Sequence, residues 1–191
     1  MKERYWAPYE IIIDYYKPKT ICEIGTHNGR SAVQFCKAAL KNNYDVIYTG
    51  YDLFDLASEE THKEEHNGKG SGDMSRAKKY LDVICNHYPK FKYTLHRGFT
   101  QDTLTDAEYD FVYVDGGHSY ESVMFDYSKI KNSKLIFFDD YQIKGVREAV
   151  QEIDPNHLEL KVDCNKGKRR QAAIIKDFDP IKDKVIADLF L

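Results

Sequence analysis

Tyr109-Asp-Phe-Val-Tyr-Val-Asp-Gly-Gly-His-Ser-Tyr120 is the stretch whose reading decides the fold. Phe111-Val112-Tyr113-Val114 is an unbroken run of β-prone residues, the pattern of a strand buried on both faces. Asp115 and the paired glycines Gly116 and Gly117 end it in a sharp turn, and His118 follows. A carboxylate and an imidazole therefore sit at the C-terminal end of a strand, the edge of an open α/β sheet where ligands bind.

Leu135-Ile136-Phe137-Phe138 repeats the pattern and runs directly into Asp139-Asp140. If the two strands are neighbours, their ends lie about 5 Å apart. Three carboxylates would then converge, which is costly unless a cation or a proton sits among them. Oxygen donors favour a hard divalent ion, Mg2+ or Mn2+. A single Asp after a strand is usually a turn or cap residue. Two strands ending alike, one with a doubled Asp and the other with a nearby His, point instead to a functional site.

Upstream, residues 5–17 carry Trp6, Tyr9, Ile12, Ile13 and Tyr16 at helical spacing, and Pro18 stops the helix. A strand at 20–24 enters Gly25-Thr-His-Asn-Gly29-Arg-Ser31, which opens a helix to about residue 41. Strand, glycine loop and helix form the first unit of a doubly wound sheet. A second strand, Val46 to Tyr51, ends in Asp52, where an acidic side chain can accept from both hydroxyls of a ribose. Residues 55–73 are polar and glycine-rich, the composition of a mobile lid beside the ligand edge. A helix to about 87, capped by Asp73 or Ser75, leads to a third strand, Phe91 to His96, and then to Gly98-Phe-Thr-Gln-Asp102. The fourth and fifth strands are those above, joined by a helix at 119–130. A helix at 145–153 precedes strands His157–Val162 and Gln171–Ile175, which flank an Asn165-Lys-Gly-Lys168 hairpin turn. The expected fold is α/β: a doubly wound, seven-stranded, mostly parallel sheet with an antiparallel C-terminal hairpin strand.

The 191 residues, 42% hydrophobic, suffice for one domain, 1–191, with a real core. A net charge of −3 argues against general nucleic-acid binding. No run reaches membrane-spanning length, and the N-terminus lacks the apolar core of a secretion signal. Cys22, Cys36, Cys85 and Cys164 are scattered, with no C-x-x-C pair, which reads as reduced thiols in a cytoplasmic protein.

Glu23-Ile-Gly25-Thr-His-Asn-Gly29-Arg-Ser31, Asp52, Gly98-Phe-Thr-Gln-Asp102, Asp115-Gly-Gly-His118 and Asp139-Asp140 together resemble the class I S-adenosylmethionine-dependent methyltransferases, whose fold is Rossmann-like. More narrowly they resemble the metal-dependent O-methyltransferases of the sugar-modifying and catechol types. The resemblance implies that Glu23, Gly25 and Gly29, with Thr26 and Asn28 of the same loop, shape the pocket for the cofactor's methionine end. It implies Ser31 for the carboxylate of that end, Asp52 for the ribose diol, and Thr100 and Gln101 for the adenine. Asp115 borders the same pocket. Asp115, Asp139 and Asp140 match the metal ligands, and His118 matches a general base. The catechol type has Asn in place of Asp140 and Lys in place of His118. The sugar-modifying type agrees at His118 but usually has Glu where Asp139 stands. The expected acceptor is a hydroxyl on a small molecule, a sugar or glycosylated metabolite, with a catechol or phenol as the alternative. Tyr120 and Tyr141 flank the metal site and are candidates for lining the acceptor pocket.

Other readings compete. His62-Lys-Glu-Glu65-His66 matches a zinc-hydrolase pattern, but its surroundings offer no apolar stripe to bury a helix. A non-catalytic S-adenosylmethionine-binding module would keep Glu23 and Asp52 without needing a carboxylate cluster. A nicotinamide-dependent reductase lacks its G-x-G-x-x-G. Lys166, Lys168, Arg169 and Arg170 make a basic turn, either solvated or in contact with an anionic group of a substrate. The sequence leaves a homo-oligomer open.

Overall fold

Strands form where the apolar, β-prone runs lie, and helices fill the amphipathic stretches between them. The computed structural model describes residues 3–43, 45–64, 70–164 and 167–190. In chain order the elements are α1 (Glu3–Tyr16), β1 (Thr20–Ile24), α2 (Arg30–Leu40), β2 (Ile47–Asp52), a 3-10 turn (Phe54–Leu56), α3 (Glu59–Glu64), α4 (Met74–His87), β3 (Lys92–Arg97), α5 (Thr100–Thr103), β4 (Phe111–Val114), α6 (Tyr120–Ile130), β5 (Leu135–Phe138), α7 (Lys144–Ile153), β6 (Leu158–Cys164), β7 (Gly167–Ile175) and α8 (Lys184–Ala187).

The strands make one seven-stranded sheet in the order β3-β2-β1-β4-β5-β7-β6. β1 to β5 pair in parallel, and β7 is antiparallel to both of its neighbours, β5 and β6. The register aligns the strand ends: Ile24 pairs with Tyr51 and Val114, and Val114 with Phe138. One residue further on, the C-terminal edge therefore carries Gly25, Asp52, Asp115 and Asp139 side by side. β7 enters that edge from the opposite direction, and the pairing of Phe138 with Ala172 puts Gln171 next to Asp139.

Alternation along β4 explains the two-sided core. Phe111 and Tyr113 face a cluster built with α1 and α2, where Tyr9, Ile12, Ile13 and Phe35 are fully buried. Val112 and Val114 face a second cluster with α6 and α7, where Val123, Val146, Ala149 and Val150 are buried. Each large side chain so buried contributes about 1.5–3 kcal/mol. Tyr9 is the keystone of the first cluster, with ring contacts to Phe35, Tyr113 and Phe137 at 5.4–5.5 Å.

Within the stretch expected as a mobile lid, 55–73, the described residues include the end of a 3-10 turn and the short helix α3. Ser58 caps that helix by accepting from the Thr61 N–H at 3.1 Å, and Glu59 and Glu60 suit its positive end. Of the hydrolase pattern, Glu65 and His66 lie outside the described residues, as do Asn165 and Lys166 of the hairpin turn. Cys22, Cys36 and Cys85 carry free thiols. Among the described residues no helix is long and apolar enough to cross a membrane.

Candidate active site

A cavity of about 350 Å3 opens along the C-terminal edge of the sheet. Gly25, Asp52, Thr100, Gln101 and Asp115, named above as cofactor-binding candidates, line it. Gly70, Ser71 and Gly72 close one side, so the segment before α4 does border the ligand edge.

The first glycine is set by steric necessity. Gly25 has φ +93°, and a Cβ there would lie 2.0 Å from the Asp115 carbonyl oxygen. The β1 turn thus passes directly over the end of β4, which only glycine permits. Asp52 is held in place by the backbone: its carboxylate accepts from the His27 N–H at 2.8 Å and the Phe54 N–H at 2.5 Å. Both strand-end loops are thereby tied to one carboxylate at the cavity wall.

The rest of the glycine loop supports the cavity from behind. Glu23 is fully buried and accepts hydrogen bonds from Ser31 and, at 2.5 Å, from Tyr48. Burial pushes its carboxyl up to about 8, although these two hydrogen bonds pull the other way. Thr26 is buried with its hydroxyl 3.2 Å from Tyr48 Oη. Asn28 accepts from the Asp73 N–H at 3.0 Å, and Gly29, in a left-handed conformation, packs against Ala77 of α4. Glu23, Thr26, Asn28, Gly29 and Ser31 accordingly stand outside the cavity wall and brace it.

Beyond Asp115 lies a second group. One donor atom each from Asp115, His118 and Asp140 falls within 4.8 Å of the others. Gly145 makes the His118 position attainable, since a Cβ there would sit 2.4 Å from the His118 carbonyl oxygen. His118 Nε2 lies 3.4 Å from Asp140 Oδ2. Burial raises the Asp140 carboxyl, but the His118 hydrogen bond and the Arg169 charge outweigh it and hold it at about 2. A set of two carboxylates and one imidazole fits a divalent cation of intermediate hardness.

Asp139 is not in that group, although the sequence pointed to it as a metal ligand. Asp140 adopts φ +51°, and this left-handed turn sends the two adjacent carboxylates apart. Asp139 turns to the α1 face, where its oxygens accept from Gln171 Nε2 at 2.9 Å and from Tyr5 Oη and Arg169 Nη1, both at 3.3 Å. Neither candidate acceptor tyrosine lines the cavity. Tyr141 is buried in the α7 core under the Arg170 guanidinium, and Tyr120 donates to Glu152 at 2.8 Å. Sequence reasoning passed over Tyr51, Phe54, Phe99, Ser122 and Asp126, which also line the cavity. For Phe54 and Phe99 the signal was their place just after β2 and β3, whose ends share the ligand edge.

A family model described as a methyltransferase domain matches residues 22–141, from β1 through the doubled Asp after β5. The chain belongs to this family. It carries a methyltransferase domain, and solved methyltransferase structures share its fold. The calicheamicin methyltransferase CalS11 aligns at TM-score 0.64 with 15% identity, covering 93% of this chain and 81% of that one. An O-methyltransferase from Bacillus cereus, solved with S-adenosylhomocysteine, aligns at TM-score 0.60 with 15% identity, covering 87% of this chain and 78% of that one. In sequence, the uncharacterised protein y4gI of Sinorhizobium fredii is 26% identical over 141 residues. That match covers 70% of this chain but only 14% of y4gI, so the domain corresponds to a small part of that protein.

Proposed function

We propose that the protein is an S-adenosylmethionine-dependent O-methyltransferase that acts on a hydroxyl of a small molecule, a sugar or glycosylated metabolite, with Mg2+ or Mn2+. The observation that carries this reading is the shared position of Asp115. It lines the cavity and also belongs to the donor group with His118 and Asp140. A cofactor in the cavity would therefore present its reactive end to a cation and a base. The sugar acceptor is supported by the likeness to CalS11, a TDP-rhamnose 3'-O-methyltransferase.

The residues fit their roles as follows. Asp52 would accept from the ribose hydroxyls, Gln101 and Thr100 would face the adenine, and the Gly25 turn would let the cofactor's chain pass close to the backbone. S-Adenosylmethionine supplies a methyl group on a sulfonium, which leaves as a neutral thioether. A divalent cation on Asp115 and Asp140 supplies a lowered pKa for the acceptor hydroxyl. His118 takes the hydroxyl proton as the oxygen attacks the methyl carbon, and Asp140, 3.4 Å from Nε2, stabilises the imidazolium that results. The transfer would exchange the cofactor's C–S bond for a C–O bond and leave the hydroxyl proton on His118, so charge would balance. Holding both reactants in line contributes several kcal/mol, on the order of 7–11 at best.

Labelled cofactor incubated with Mg2+ or Mn2+ and a panel of glycosides and nucleotide sugars tests this. Transfer to a sugar hydroxyl, lost in chelator and in Asp140→Ala while cofactor binding persists, is the expected result. Turnover unchanged by chelator would remove the cation from the reaction. Transfer to catechols alone would move the acceptor class.

A further inference from the structure

We propose that Arg169 is an internal counter-cation that competes with the metal for the doubled aspartate and keeps Asp139 out of the coordination sphere. The inference rests on the reading above in taking Asp115 and Asp140 as the carboxylates that hold a cation, with His118 beside them as the base. It adds Arg169, which lies beyond the residues 22–141 that the family model matches.

The geometry is specific. Arg169 comes in on β7, the one strand that runs against the rest, and its Nη1 lies 3.3 Å from Asp139 Oδ2 and 3.5 Å from Asp140 Oδ1. One guanidinium nitrogen thus bridges the two adjacent carboxylates. On its far side Asp139 is fixed by Gln171, itself fully buried, and by Tyr5. Gln171 also donates to Tyr5 Oη and Tyr113 Oη, each at 3.2 Å, and accepts from Tyr9. Asp139 is therefore committed to protein partners on both oxygens. Asp140 is shared: Oδ1 faces Arg169 and Oδ2 faces His118.

Two consequences follow from charge. One of the edge's negative charges is offset by the chain itself, through the Arg169 guanidinium. A divalent ion at Asp140 then sits beside a fixed positive charge and binds more weakly than it would without one. The neighbouring Arg170 is engaged elsewhere, with Glu159 and the Tyr141 ring, so its role differs from that of Arg169.

The test is Mn2+ affinity measured by calorimetry on the full chain, with melting temperature followed in chelator and in saturating Mn2+. Arg169→Gln is expected to bind Mn2+ on the order of tenfold tighter than the wild type. It should melt lower in chelator and recover with Mn2+. Arg169→Lys, which keeps the charge, should stay near the wild-type affinity. Should Arg169→Gln fold only when Mn2+ is present, that also supports the role, and failure to fold in either condition counts against it. Equal or weaker Mn2+ binding by Arg169→Gln overturns the proposal. So does the absence of binding in both the wild type and the variant. Binding gained only in the variant supports it even if the wild type turns over without metal, in which case the metal part of the proposed reaction fails and the counter-cation stands.

Discussion

Glu23 offers the sharpest physical test of how the glycine loop is held. Its carboxyl is fully buried, and burial moves it from its ordinary value near 4.5 up to about 8, partly offset by the hydrogen bonds from Ser31 and Tyr48. Below the ordinary value both the folded and the unfolded chain hold the proton, and the group has no effect on stability. Between that value and about 8 the unfolded chain has released its proton while the folded chain keeps it. Stability then falls as pH rises, by about 1.4 kcal/mol per pH unit across the window. The accumulated loss approaches about 4–5 kcal/mol above pH 8. For a domain of this size that is on the order of 10 °C in melting temperature.

Glu23→Gln removes the titration while keeping the shape. The amide can accept from one hydroxyl and donate to the other, at a pH-independent cost of about 1 kcal/mol. Melting curves of the cofactor-free protein from pH 5 to pH 8.5 should therefore fall steeply for the wild type and be flatter for Glu23→Gln. The two curves should cross near about pH 5, where the wild-type loss reaches about 1 kcal/mol, and diverge toward the alkaline end with Glu23→Gln the more stable. Parallel curves would refute the reasoning, because they would mean that Glu23 ionises in the folded chain as freely as in water.

Three other outcomes check the remaining parts of the site. Asp52→Ala removes a carboxylate that anchors His27 and Phe54 and faces the cavity; S-adenosylmethionine affinity by calorimetry should drop by about 10- to 100-fold, the loss expected for hydrogen bonds to a charged acceptor. Gly25→Ala forces a side chain against the Asp115 carbonyl at a left-handed backbone position, so it should cost about 2–4 kcal/mol and abolish the thermal shift given by the cofactor. His118→Ala should erase the neutral limb of the pH–rate profile while Mn2+ binding changes little. A profile of unchanged shape would assign the base elsewhere, and a large loss of Mn2+ affinity would make His118 a ligand.

The strand-end carboxylates were legible because buried parallel strands announce themselves as apolar runs, and their ends fall where the runs stop. Parallel register then did the rest: with Val114 beside Phe138, Asp115 and Asp139 had to be neighbours. What periodicity cannot carry is the direction of a side chain at a residue that leaves the regular backbone. Asp139 and Asp140 are identical letters in adjacent places, yet φ +51° at Asp140 turns one toward His118 and leaves the other facing α1. The partners that claim Asp139 were equally out of reach of local reasoning. Tyr5 lies 134 positions away on a helix whose spacing signals only packing, and Arg169 stands in a basic turn of the kind that is usually solvated. Tyr141 failed as an acceptor residue for a related reason. Its place after the doubled Asp suggested the site, but Ile143 closes a turn back onto Asp140 and carries the aromatic ring down into the α7 core. Two strand-end aspartates specify an acidic edge, and it takes Tyr5 of α1 and Arg169 of β7 to hold one of them away from His118.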